Sequence, residues 1–248
     1  MMVTNYERLL QNFETLGLKH MKEVFPQYME QVYQQDLSLT EAFLALTEQE
    51  VAYQDTLVST QVIKRARFPQ TKTFEMFDFS FQPQLNKQEL LDLKNLQFME
   101  AHQNILFLGS PGVGKSHLAI ALGVEACLQG KRTLFISCHE LLLRLNSAHQ
   151  KGTLERVLKR YARYELLIID EIGYLPIEGN DASLLFQLLK RRYECHSTIV
   201  TTNLALSGWA DLFKSPETAA AILDRLVHHS KIFKMTGKSY RLKHAQNN

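Results

Sequence analysis

Between Asn104 and Leu108 the chain is apolar, and it stops at a glycine. The string GSPGVGKS follows from Gly109 to Ser116, and Lys115-Ser116 open a helical pattern that lasts to residue 128. The string fits G-x-x-x-x-G-K-[ST], in the strand-before, helix-after context that gives this motif its meaning. No other feature of the chain restricts its fold as tightly. A glycine-rich loop between a buried strand and a helix calls for a parallel α/β sheet with a ligand at the strands' carboxyl ends.

The residue types explain the ligand. Gly109, Gly112 and Gly114 permit backbone conformations other residues avoid and let the chain approach an anion closely. Successive N–H groups, with the positive end of the following helix, then form a phosphate cradle. Lys115 is placed to meet β- and γ-phosphates, and the Ser116 hydroxyl to ligate Mg2+. The nucleotide-binding set read from this stretch is Gly109, Ser110, Pro111, Gly112, Val113, Gly114, Lys115, Ser116 and His117. The bland alternative is a glycine-rich turn followed by a chance Lys-Ser, which the flanking strand and helix disfavour.

A second apolar run, Leu166 to Ile169, ends in Asp170-Glu171. Four consecutive apolar residues suit a strand buried on both faces. Asp170 at its carboxyl end can hold the Mg2+ shell, and Glu171 can polarise a water for in-line attack on the γ-phosphate. A helix-capping role is the structural alternative for either acid. The pair favours hydrolysis over transfer to a bound acceptor. A third run, STIVTTN, reads as a β-branched strand with Asn203 at its end, where an amide can orient the attacking water.

Elsewhere the pattern is consistent with this. Residues 132–137, 166–170 and 197–203 read as strands, and 139–145, 153–163 and 181–193 as helices. Alternating strands and helices imply a parallel sheet covered on both faces. Before the sheet, Tyr6, Leu9, Leu10, Phe13 and Leu16 recur at helical spacing. Thr4 or Asn5, and then Ser38 or Thr40, are the candidate N-caps of a helical module ending near Ala66. The expected organisation is a helical domain over 1–67, a linker over 68–84 with Pro69 and Pro83, and an ATPase domain over 85–248. Phe77, Phe79 and Phe81 alternate in the linker as on one face of an extended segment. They read as packing onto the next domain, with a contact near the nucleotide base as the other reading.

Charge and cysteines set further bounds. Residues 1–70 carry six Lys/Arg against nine Asp/Glu, whereas 225–248 carry six Lys/Arg and no acid. A basic tail is an electrostatic pointer to a polyanion, or simply a solvated end. Three well-separated cysteines, Cys127, Cys138 and Cys195, argue for a reducing cytosol and against disulfides or a zinc site. The opening residues lack a signal-peptide pattern and no run approaches ~18 apolar residues, so a cytoplasmic protein with no membrane partner is expected. His228-His229, being adjacent, offer poor metal spacing on a helix and read as packing or rim residues. Trp209 reads as core or interface.

The strings GSPGVGKSHLAIALG, LLIIDEIGYLP, STIVTTNLALSGWADLF and AAAILDRLVHHSKIFKMTGKSYRLK together resemble the IstB-type transposition helper ATPases. These lie within the AAA+ superfamily, in the DnaC/DnaA-like clade. The resemblance covers nearly the whole chain and is strongest from Phe74 to Lys243. It implies an AAA+ core with ATP and Mg2+ as cofactors, Asp170 and Glu171 as the Walker B acids, and Asn203 as sensor 1. It also implies that Arg225 is an arginine finger reaching a neighbouring subunit's γ-phosphate in a homo-oligomer with composite ATP sites. Arg191 and Arg192 are rival candidates, and a surface ion pair of Arg225 with Asp224 or Glu217 is the structural alternative. Only 35 residues follow Phe213, which implies a truncated C-terminal lid with no assignable sensor 2 arginine.

The function implied is an ATP-dependent factor that assembles on duplex DNA and recruits or stimulates a cognate transposase. A DnaC-like helicase loader on single-stranded DNA is the alternative. A small-molecule P-loop kinase or a non-hydrolysing switch fits the tandem acids less well. The helix before the linker is thinner in arginine than is typical of the family, with only Lys64, Arg65 and Arg67. The remaining candidates for DNA phosphate contact are Lys151, Arg156, Lys159, Arg160 and Arg163, and the tail from Lys231 to Lys243. For the first of these sets, an ordinary solvated helix face is an equal reading.

Overall fold

The computed structural model describes residues 4–35, 37–174, 177, 180–213, 215–237 and 239–240. It divides into two compact units, Met1–Gln61 and Val62–Asn248. No helix among the described residues is long and apolar enough to cross a membrane.

The first unit holds α1 (Asn5–Thr15), α2 (Lys19–Gln35) and most of α3 (Leu39–Arg65). Thr4 and Glu7 form a reciprocal capping box at α1, and Ser38 and Glu41 form another at α3. Phe13, Met21, Phe25, Tyr28, Ala42 and Leu46 make the core. Glu50 is buried there, and its carboxylate accepts the Met21 N–H at 2.7 Å and the Gln54 amide at 2.6 Å. A carboxylate from α3 thus caps the first turn of α2, where orphan donors and the helix dipole favour negative charge.

The second unit runs α4 (Lys87–Asp92), α5 (Gln97–Glu100), β1 (Asn104–Gly109), α6 (Lys115–Leu128), β2 (Thr133–Ser137), α7 (Cys138–Gln150), α8 (Leu154–Ala162) and β3 (Leu166–Ile172). It continues with α9 (Asp181–Arg192), β4 (Ser197–Thr202), α10 (Trp209–Phe213), α11 (Pro216–Val227) and β5 (Ser230–Met235). The five strands are all parallel, in the order β2-β3-β4-β1-β5. Strand side chains alternate between faces, and the sheet sorts accordingly. Leu106, Leu108, Leu167, Ile169 and Val200 join a core with α7, α8, α9 and α11. Ile105, Phe107, Ile168, Ile199 and Phe233 join another with α6 and the 74–99 stretch.

Two sequence expectations need correction. The basic stretch that begins at Lys231 is no solvated end: Lys231 and Lys234 lie within β5, paired with Ile105 and Leu108 of β1. The charges obscured a strand whose inward residues, Phe233 and Met235, are buried. Lys238 and residues 241–248, which hold the rest of that basic set, lie outside the described residues, as do residues 175 and 176 of the LLIIDEIGYLP string. Second, Phe77, Phe79 and Phe81 do not share one face of an extended segment. Phe79–Phe81 is a 3-10 turn capped by Asp78. Phe77 and Phe79 pack edge to face with centroids 4.9 Å apart, while Phe81 meets Tyr240. Phe74 is buried with the sheet core.

Candidate nucleotide site

The loop of residues 109–114 leaves β1 at the sheet's carboxyl edge and enters α6. Its glycines are demanded by contact as well as torsion. Gly112 has φ +81°, and a side chain there would run into Ser239. Gly114 has φ +100°, and a Cβ on it would lie 2.5 Å from Phe77 Cε2. Val113 is buried beneath the loop, and Ser110 and Pro111 are exposed on it. Lys115 Nζ donates to the loop's own carbonyls, Gly109 O at 2.6 Å and Ser110 O at 2.8 Å. The Tyr240 N–H donates to Gly112 O at 2.9 Å, so the segment after β5 lies against the same loop.

His117 is engaged away from the phosphate cradle. Its Nε2 lies 2.8 Å from Thr73 O. A carbonyl only accepts, so Nε2 carries the proton. The ring packs edge-on to Phe77, and burial lowers its pKa.

Across the sheet edge, Ser116 Oγ donates to Asp170 Oδ1 at 2.7 Å. The same oxygen accepts from Thr201 Oγ1 at 2.6 Å, and Thr201 Oγ1 accepts the Glu171 N–H at 2.9 Å. The β3–β4 register slips between Ile169 and Ile172, and Glu171 has φ +62°. A non-glycine residue in that region costs ~1–3 kcal/mol. The bulge turns Glu171 out to solvent, while Asp170 stays buried beside Ser116. Asn203 is exposed just past the end of β4. Thr201 escaped sequence reading because one threonine in a β-branched strand carries no signal of its own.

The donor chemistry fits a Mg2+ ion. Ser116 and Asp170 present hard oxygens, already 2.7 Å apart, at the start of α6.

The arginines separate clearly. Arg192 is not available to another subunit: its guanidinium is fully buried. It donates to Tyr161 O, Ala162 O, Tyr164 O, Ser197 O and Thr198 Oγ1. Burial pulls its pKa down to about 9. Arg191 is paired with Glu155, at 2.6 Å and 3.3 Å. Arg225 makes neither of the ion pairs considered for it among the described residues. It donates to Ala221 O at 2.9 Å and its guanidinium lies 4.6 Å from the Phe186 ring centroid. Its backbone carbonyl is 3.4 Å from Asn104 Nδ2, at the start of β1. The phosphate loop follows the other end of that strand, ~16 Å away at ~3.3 Å per residue. The Arg225 backbone therefore lies at the end of β1 opposite the phosphate loop.

Of the other basic candidates, Arg156, Lys159, Arg160 and Arg163 line an open hollow of about 610 Å³ with Gly152, Thr153 and Glu155. Lys159 pairs with Glu155, and Arg160 lies over the Tyr161 ring. Arg156 and Arg163 have no ion pair among the described residues.

The fold and these sequences have known counterparts. The sheet resembles the DnaC helicase loader (TM-score 0.53, 24% identity, 60% of this chain and 87% of that one). It also resembles DnaA from Aquifex aeolicus bound to AMPPCP (TM-score 0.57, 20% identity, 73% and 55%). These likenesses establish an AAA+ P-loop fold. In sequence, the chain is 43% identical to the ATP-binding protein of insertion sequence IS232 from Bacillus thuringiensis subsp. berliner, over 98% of this chain and 97% of that one. It is 42% identical to the ATP-binding protein of IS21 from Pseudomonas aeruginosa, over 92% and 86%. The family model for IstB-like ATP binding protein matches residues 11–248. With that match and those identities, the chain belongs to the family of IstB-like ATP-binding proteins.

Proposed function

We propose that this protein is a cytoplasmic ATPase that assembles as a homo-oligomer on duplex DNA and recruits or stimulates the transposase of its insertion sequence. The observation that carries the reading is the hydrogen-bonded chain from Ser116 through Asp170 and Thr201 to the Glu171 backbone, set beside the phosphate loop. A loop that only binds nucleotide has no need of a carboxylate held outward in a strained backbone next to it.

The loop N–H groups from Gly109 to Ser116 cradle the ATP phosphates, and Lys115 exchanges its loop carbonyls for β- and γ-phosphate oxygens. Ser116 and Asp170 would hold Mg2+, which when bound supplies neutralising charge to the phosphates. Glu171 accepts the proton of the water that attacks the γ-phosphorus, and Asn203 orients that water. The bond from the γ-phosphorus to the β–γ bridging oxygen breaks, and ADP and phosphate leave. Arg225, whose backbone lies at the far end of β1 from its own loop, reaches the γ-phosphate of a neighbouring copy, so turnover depends on assembly. The hollow lined by Arg156 and Arg163 supplies DNA phosphate contacts without base readout.

The test is ATP turnover with and without duplex DNA, at several protein and salt concentrations. Stimulation by duplex that grows with protein concentration and fades with salt supports the reading. Turnover indifferent to DNA and concentration removes the assembly half of it. Stimulation by single-stranded DNA alone points instead to a loader.

A further inference from the structure

His228 is the C-cap of α11, its N–H donating to Asp224 O at 3.0 Å, and His229 follows it where the chain leaves the helix for β5. Their ring centroids are 4.2 Å apart. Glu194, from the turn between α9 and β4, reaches the same place. One ligand atom from each of Glu194, His228 and His229 lies within 4.8 Å of the others. All three side chains are exposed, so an ion could enter without opening the fold.

The backbone holds both arms of this cluster. The Asn104 N–H donates to His229 O at 2.7 Å, tying the histidine pair to the start of β1. The Cys195 and His196 N–H groups both donate to Arg192 O at 3.0 Å, and Arg192 is itself locked by five side-chain hydrogen bonds. Glu194 sits in that turn with φ +56°. His228 Nδ1 is 2.9 Å from the Tyr193 hydroxyl, which leaves Nε2 of that ring for another partner. A second hydrogen-bond partner on a ligating imidazole fixes ring orientation and tautomer. Between His229 Nε2 and Glu194 Oε1 the distance is 3.4 Å, an ion pair only when the imidazole is protonated.

We propose that Glu194, His228 and His229 form a binding site for a divalent transition-metal ion of the Zn2+, Co2+ or Ni2+ kind, at the sheet edge opposite the phosphate loop. Two imidazoles and one carboxylate are the donors such borderline ions favour, and hard Mg2+ does not. Three protein ligands leave open positions for water. The ion ties the α9–β4 turn to the α11–β5 junction. Those two helices also meet where Arg225 stacks on Phe186.

The experiment titrates the full chain, carrying Cys195→Ser to remove the neighbouring thiol, with Co2+ in the absence of nucleotide. The visible absorption of the bound ion is the readout. The expected result is one Co2+ per chain, displaced by Zn2+ and not by excess Mg2+. His228→Ala and His229→Ala should each weaken binding at least ~10-fold, and Tyr193→Phe about 10-fold through loss of the ring's partner. Unchanged melting temperatures of these variants without metal establish that they fold. No Co2+ binding, displacement by Mg2+, or affinity unchanged in both histidine variants would overturn the site.

Discussion

The Thr201 hydroxyl donates to Asp170 Oδ1 at 2.6 Å and accepts the backbone N–H of the next residue, Glu171, at 2.9 Å. One side chain on β4 thereby fixes both acids of the β3 end: the first by its carboxylate, the second by its main chain. Thr201→Val keeps the shape and deletes both bonds. It should lower kcat ~10-fold or more, since a buried carboxylate and a strained N–H lose partners worth ~1–3 kcal/mol each. Thr201→Ser should retain most of the rate. Equal loss in the two variants would mean that packing, not the hydroxyl, matters.

Glu171 is exposed and turned outward by the bulge, so its removal should leave the fold and the loop untouched. Glu171→Gln should bind ATP with near-normal affinity and lose ~10²–10⁴ in turnover, the range for a positioned proton acceptor. Lys115→Ala should instead lose nucleotide binding itself. Fluorescent-nucleotide binding and single-turnover hydrolysis separate the two effects.

The Arg225 backbone lies at the end of β1 opposite the phosphate loop, which makes a mixing experiment decisive. Arg225→Ala should bind ATP normally and lose ~10³-fold or more in hydrolysis. Mixed with Lys115→Ala, which still carries the arginine, it should regain part of the activity. Absence of rescue in mixtures shown to co-assemble would refute a finger in trans.

Arg156 and Arg163 have no ion pair among the described residues and border the same hollow. Replacing both with Gln should weaken duplex binding uniformly across sequences. The slope of log affinity against log salt should fall by ~0.9 for each DNA phosphate that is no longer neutralised. A change confined to one DNA sequence would contradict a backbone-only role.

Burial holds the His117 imidazole below its ordinary pKa. The folded protein then binds that proton less readily than the unfolded chain. Its stabilising effect is whole above pH ~6.5 and fades as pH falls below that value, towards the lower folded pKa. His196 is shifted in the same direction by burial and by Arg192, and adds to the trend. Melting temperature should drop between about pH 7 and about pH 5, and His117→Gln should flatten that drop. An equal slope in the variant would show that His117 does not titrate on unfolding.

The phosphate loop, the strands β1 to β4 and most of the helices were legible because each rests on local rules. A buried parallel strand is a continuous apolar run, a phosphate loop needs glycine at fixed offsets, and a capping box is four residues long. β5 was not legible, because Lys231 and Lys234 interrupt the apolar residues of an edge strand and break its period of two, so the stretch reads as a basic tail. Arg192 stood among the finger candidates because its charge suggests a surface; only the packing of α8, α9 and β4 shows a buried guanidinium with five acceptor oxygens around it.

The local sequence thus determined that a triphosphate loop exists, and that two acids and an amide stand at strand ends. Tertiary structure alone decided how those parts bear on one another. Ser116, Asp170 and Thr201 come from three elements far apart in the chain and meet through single hydrogen bonds. Glu194 and the histidine pair converge only because β4 and β5 flank β1 in the sheet. Strand order and register are set by long-range pairing, and no short stretch of sequence encodes them.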